Sequence, residues 1–183
     1  MKQTWVAMGT LATLLAGLLS ACGATPFSHA ASSPANPSHW LQSEAAKKSV
    51  TLKVFAGEDN GMNFNGYDRG GMIITVPADW KVTVDFVNTD NAQAHSAMIV
   101  PFADRVSMNI PTTAVAFPDA STPDPTDGTG YGIAQSFRFT AGTSSGTYAL
   151  VCGVPGHAAM GMWDKFVVSK TAQAASITVH GAH

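Results

Sequence analysis

Cys152 stands in a short segment that concentrates metal-binding side chains: Cys152-Gly153-Val154-Pro155-Gly156-His157-Ala158-Ala159-Met160-Gly161-Met162. Thiolate, imidazole and thioether follow one another at C-x4-H-x4-M spacing. A second imidazole, His95, lies far upstream at the mouth of another predicted strand. Two His and one Cys in a trigonal plane, with a weak axial Met, make a copper site suited to single-electron transfer. Soft sulfur favours Cu(I) and imidazole favours Cu(II), so a fixed compromise between them lets the ion change charge with little movement. Gly153, Pro155, Gly156 and Gly161 allow the segment to fold tightly enough for three side chains to meet one ion. Met160 and Met162 both offer a thioether, and residue type alone does not choose between them.

Each donor also has a plainer reading. A lone Cys is most often a small buried hydrophobe, and a lone His at a sheet end is often simply hydrogen-bonded. Cys152 combines with His157 and Met162 in one loop, which favours metal. With Cys22 removed or acylated, Cys152 is the one free thiol and has no internal disulfide partner. His95 is the second imidazole that the folded region offers. His29 and His39 fall in a predicted tether and His180 and His183 in a predicted tail, all read as solvated. Met62, Met72, Met98 and Met108 are scattered rather than spaced as a motif, which reads as core packing. A binuclear copper centre needs a second Cys in the loop, but position 148 is Tyr; multicopper oxidases need a His-Cys-His run, but Cys152 lies between Val151 and Gly153. Nothing beyond the copper donors suggests a substrate pocket or an acid–base pair, so an enzyme is not expected.

The elements that must position these donors read as strands. Val50, Leu52 and Val54 alternate with Thr51 and Lys53, and Val82, Val84 and Phe86 with Lys81, Thr83 and Asp85, the period of half-buried strands. Further strands are expected over 72–76, 96–100, 136–140, 147–152 and 165–169. Turn signals such as Asn65-Gly66, Pro77-Ala78-Asp79 and Asn88-Thr89-Asp90-Asn91 separate them. Residues 44–48 have some helical character, with Ser43 as a possible N-cap. A long irregular segment at 101–132 carries Pro111, Pro118, Pro123 and Pro125, and segments of that length are usually functional or mobile. The pattern predicts an all-β fold, an antiparallel Greek-key β-sandwich over 46–170. Charged residues are only 12% of the 183, with ten Lys+Arg against twelve Asp+Glu, which leaves no basic face for nucleic acid. An apolar content of 45% with 17 Gly and 10 Pro excludes both general disorder and a long-helix protein.

The N-terminus reads as an export signal over residues 1–21. Lys2 precedes an apolar run from Trp5 to Leu19, and Leu19-Ser20-Ala21-Cys22 resembles the bacterial lipobox, in which the Cys is acylated. Ser28-His29-Ala30 offers conventional cleavage as an alternative. The apolar run is short for a retained span, which needs about 20 residues. Residues 22–45, rich in Ala, Ser and Pro, read as a flexible tether, and 171–183 as a C-terminal tail.

The 152–162 loop with His95 resembles the cupredoxin (type 1 blue copper) family. Within that family, Asn63-Phe64-Asn65-Gly66-Tyr67, residues 72–77 and the proline-rich 117–128 segment resemble the sulfocyanins, with a rusticyanin-like ligand loop. The resemblance covers about 49–169. It implies one type 1 copper cycling between Cu(I) and Cu(II), held by His95, Cys152, His157 and Met162, since the family places its axial Met five residues after the His. It gives Ser96, where many cupredoxins carry Asn, a hydrogen-bonding role toward the Cys loop. It also implies a monomeric electron carrier in the periplasm or at the outer face of the cytoplasmic membrane. There, anchored through Cys22, it would serve respiratory partners such as a c-type cytochrome or terminal oxidase. Its low charge density suits an acid exterior. The alternative is a copper-delivery protein, which would be colourless and exchange metal readily. On the anchoring expectation, mass spectrometry of the membrane fraction finds a lipid-modified N-terminal Cys22; a soluble chain beginning at Ala31 would establish conventional cleavage instead.

Overall fold

Alternating apolar side chains pack two sheets face to face in the computed structural model, which describes Met1 and residues 37–181. The rest of the predicted signal peptide, Cys22, residues 22–36 of the predicted tether, His29 and His183 lie outside the described residues. One sheet runs in the order β1 (Leu41–Glu44), β2 (Ser49–Ala56), β4 (Lys81–Asn88), β6 (Ala134–Thr140). The other runs β5 (Met98–Pro101), β7 (Gly146–Val151), β8 (Trp163–Ser169), β3 (Met72–Pro77), β9 (Ser176–Val179). Val50, Leu52 and Val54 of β2 and Val82, Val84 and Phe86 of β4 are buried against Ile74 and Val76 of β3 and Phe166 and Val168 of β8. Phe139 bridges the layers, 5.4 Å from Phe117 in a near-parallel stack and 5.8 Å from Phe166. The all-β sandwich is therefore as expected.

The strand directions are not wholly antiparallel. β2 pairs in parallel with β4 and β3 in parallel with β8. Parallel neighbours need a crossover rather than a hairpin, and the chain supplies one by visiting the opposite sheet as β3 between β2 and β4. Alternation within a strand reports burial, not the direction of its neighbour, so the sequence pattern was silent on this point.

The fold also extends past both expected boundaries. Leu41–Glu44, assigned to the tether, pairs with β2 from Leu41↔Leu52 to Glu44↔Ser49, and Trp40 is buried edge-on against Tyr67 at 6.0 Å. Ser176–Val179, assigned to the tail, pairs with β3. The expected helix at 44–48 is one 3-10 turn, Ala45–Lys47, and Ser43 accepts the Ala175 N–H (3.2 Å) instead of capping it. These edge strands have four residues each, none of them fully buried, so they carry too few alternations to stand out in the sequence.

The 101–132 segment is folded onto the sandwich. Ile110, Phe117 and Ala120 are buried, and isolated bridges join Ser121 to Met98 and Thr129 to His95. Met72 and Met98 are core residues and Met108 is exposed. If 37–44 belongs to the fold, Trp40→Ala removes a buried indole and destabilises the protein by about 3 kcal/mol; urea unfolding measures it, and an unchanged midpoint would return this segment to the tether.

Candidate metal centre

His95 is delivered by a turn that hydrogen bonds define completely. Asn88, at the end of β4, donates its amide to the carbonyls of Gln93 (2.8 Å) and Thr129 (2.7 Å). Asp90 accepts the backbone N–H groups of Ala92 (2.7 Å) and Gln93 (3.1 Å). The backbone of His95 then exchanges both hydrogen bonds with Thr129. Cys152 follows the last residue of β7, and its N–H donates to the Met162 carbonyl (3.2 Å). Between them the chain makes the helical turn His157–Met160, and the Met162 N–H donates to the His157 carbonyl (3.0 Å).

Ser96 ties the two segments together. Its N–H donates to Cys152 Sγ (3.4 Å), its Oγ accepts the Gly153 N–H (2.8 Å), and its hydroxyl donates to the Pro125 carbonyl (2.7 Å). This is the role expected of Ser96, with Pro125 added. Gly153 has to lack a side chain here: a Cβ would lie 2.6 Å from Met98 Sδ and 2.9 Å from the Pro125 carbonyl oxygen.

Three predicted ligands converge. Cys152 Sγ lies 3.5 Å from His157 Nδ1 and 3.9 Å from His95 Nδ1, and the two Nδ1 atoms are 3.2 Å apart. His95 and Cys152 are fully buried and His157 is 6% exposed. Met162 is fully buried, with its backbone bonded to both Cys152 and His157, whereas Met160 is 48% exposed. The described histidines of the predicted tether and tail, His39 and His180, are exposed and apart from the cluster.

These residues fit a copper ion. The Nε2 of His95 faces the Asp90 carboxylate at 3.0 Å, so the ring proton belongs there and Nδ1 presents a lone pair. That lone pair points at a second imidazole nitrogen and a sulfur in a dry site, an arrangement short of protons that a soft cation completes. Burial pushes the Cys152 thiol up, against hydrogen bonds from Ser96 and Val154 that favour the thiolate. Burial, then the neighbouring His95, hold His157 below the usual imidazole range, which favours the neutral form that can ligate.

The sequence reading missed Asp90, which it took as part of a turn signal, and Arg69. The Arg69 guanidinium donates to the Met160 carbonyl (2.7 Å), and its backbone N–H to the Gly161 carbonyl (2.9 Å), bracing the ligand loop from outside. The position of Asp90 five residues before His95 was available as a signal. No local pattern pointed to Arg69.

Comparison with known proteins places the chain among relatives. A family model described as the sulfocyanin (SoxE) domain matches residues 37–179, reaching both edge strands that the structure adds. Rusticyanin of Acidithiobacillus ferrooxidans is 34% identical over 110 residues, covering 58% of this chain and 66% of that protein, so the chain spans a little under two thirds of that relative. Sulfocyanin of Sulfolobus acidocaldarius is 28% identical over 138 residues, 71% of this chain and 68% of that protein. Among solved structures, reduced rusticyanin is similar at a TM-score of 0.49 and 26% identity, over 67% of this chain and 77% of that one. Because the family match takes in most of its length, the chain belongs to the sulfocyanin (SoxE) domain family of cupredoxins, whose cofactor is one type 1 copper.

Proposed function

We propose that this chain is a mononuclear blue-copper electron-transfer protein, with His95, Cys152 and His157 as the strong ligands and Met162 as the weak axial one. When bound, copper supplies a one-electron couple between Cu(I) and Cu(II). The observation that carries the reading is the set of three buried donor atoms within 4.8 Å of one another, drawn from two segments more than fifty residues apart. Hydrogen bonds with Ser96, Thr129, Asp90 and Arg69 tie these segments to their surroundings. A site so enclosed supports a carrier over a delivery protein, which would need open, exchangeable ligands. Membership of the cupredoxins, which are electron-transfer proteins and generally not enzymes, supports it too.

The finer reading places the protein outside the cytoplasmic membrane, tethered through Cys22 and passing electrons between respiratory partners such as a c-type cytochrome and a terminal oxidase. Leu19-Ser20-Ala21-Cys22 supports the tether. Among the described residues no helix is long and apolar enough to cross a membrane. Electrons enter and leave at His157, the one imidazole of the pair with an exposed edge. Beside it Pro155, Ala159, Met160 and Met108 are exposed and uncharged, while Ala158 is buried. These side chains let a partner approach with little charge to desolvate, the exposed Arg69 guanidinium at the Met160 carbonyl marking their edge, over the small area typical of transient redox contacts.

The copper-loaded protein is expected to be intensely blue when oxidised and to reduce reversibly. Cys152→Ser abolishes the band, because the absorption requires thiolate bonded to copper. Met162→Leu keeps copper and raises the reduction potential, and Met160→Leu changes little. Spectra and voltammetry of the three variants check this; a colourless protein that exchanges metal freely would overturn the reading in favour of delivery. Separately, Met160→Lys is expected to slow electron exchange with a c-type cytochrome several-fold while leaving the spectrum unchanged. Stopped-flow rates measure it, and unaltered rates would move the docking surface away from His157.

A further inference from the structure

Among the described residues, three pairs have ion-pair geometry, and only Asp90–His95 has both side chains fully buried. The carboxylate spans two tasks. One oxygen, Oδ1, accepts the backbone N–H groups of Ala92 and Gln93, and the other, Oδ2, faces His95 Nε2 at 3.0 Å. The backbone seals the pair from outside at Gly57, whose φ is +77° and where a Cβ would lie 2.4 Å from Asp90 Cβ and 2.9 Å from His95 Nε2. Two buried acids are bonded differently here. Asp164 accepts a single backbone N–H, from Met72. Asp90 accepts two, from Ala92 and Gln93, and faces the His95 ring nitrogen as well, a set of donors that favours the charged carboxylate.

We propose that Asp90 is a positioning residue that sets the copper potential: its carboxylate fixes His95 in the tautomer that offers Nδ1 to the metal, and it keeps a negative charge inside the site. This rests on His95 being a copper ligand. Charge balance gives the direction. The Cys152 thiolate and the Asp90 carboxylate carry two negative charges, which divalent copper cancels. One electron from the redox partner, with no bond broken and no proton moved, leaves one negative charge uncompensated in a water-excluded pocket, which is unfavourable. Asp90 therefore stabilises the oxidised form and lowers the potential.

The test uses the copper-loaded protein. Asp90→Asn keeps the side chain's shape and removes the charge, and its one oxygen accepts either from His95 Nε2–H or from the Ala92 and Gln93 N–H groups, not from both. It is expected to retain the thiolate-to-copper band and to shift the Cu(I)/Cu(II) equilibrium about tenfold toward Cu(I), which is ~59 mV for a one-electron couple. Asp90→Ala is expected to shift it in the same direction and, having also lost the hydrogen bond to His95, to bind copper more weakly. A wild-type potential in Asp90→Asn with the band intact would overturn the charge role. Should the variants not fold, NMR of the reduced wild-type protein decides: a slowly exchanging, strongly downfield His95 Nε2–H supports the proposal, and an Nε2 without a proton overturns it. Absence of the band from the wild-type protein itself would instead defeat the copper-ligand reading beneath it.

Discussion

Cys152 Sγ has no exposed surface, yet it must stay within reach of two imidazoles carried by distant parts of the chain. Ser96 meets this constraint by bonding to the sulfur, to the Gly153 N–H and to the Pro125 carbonyl at once. Three segments thereby share one buried polar knot. Polar groups removed from water are costly when unpaired and rigid when paired, so the knot specifies one arrangement of the ligand loop. The sheets provide the floor: β7 leads into Cys152, β5 follows Ser96, and their pairing from Met98↔Val151 to Pro101↔Tyr148 sets the spacing between the two donors.

The long irregular segment is best understood as part of this knot. Its prolines limit the chain's freedom, and its apolar residues Ile110, Phe117 and Ala120 anchor it to the sandwich. From that anchored path it contributes the Pro125 carbonyl to Ser96, both backbone groups of Thr129 to His95, and the Met108 carbonyl to the Gly156 N–H (2.7 Å). It acts as a third wall of the site, supplying backbone hydrogen bonds rather than ligands. That is why a stretch without strands of its own adopts one path.

Charge is placed with similar economy. A chain with so few ionisable groups puts one carboxylate directly behind a predicted ligand and leaves apolar side chains on the surface in front of the other imidazole. The first arrangement acts on the energy of the electron and the second on the approach of whatever exchanges it. Arg69 joins them mechanically, clamping the loop at Met160 and Gly161 just before Met162.

The ligand types, their spacing and the alternation of β2, β4, β3 and β8 are local properties, so the sequence by itself determined the candidate donors, the choice of an all-β sandwich and the class of metal, while the preference for Met162 over Met160 came from the family resemblance. The same resemblance marked Ser96, which follows His95. The parallel pairings, the four-residue edge strands, the contribution of Pro125 and the clamp of Arg69 were decided only by tertiary structure. Each depends on which backbone groups meet across long separations, and neither hydrophobic period nor residue type encodes that. Asp90 shows the boundary most clearly. As a residue in Asn88-Thr89-Asp90-Asn91 it reads as turn chemistry, and it does serve the turn; it becomes an electrostatic partner of His95 only because the fold buries both and leaves the carboxylate no solvent to face.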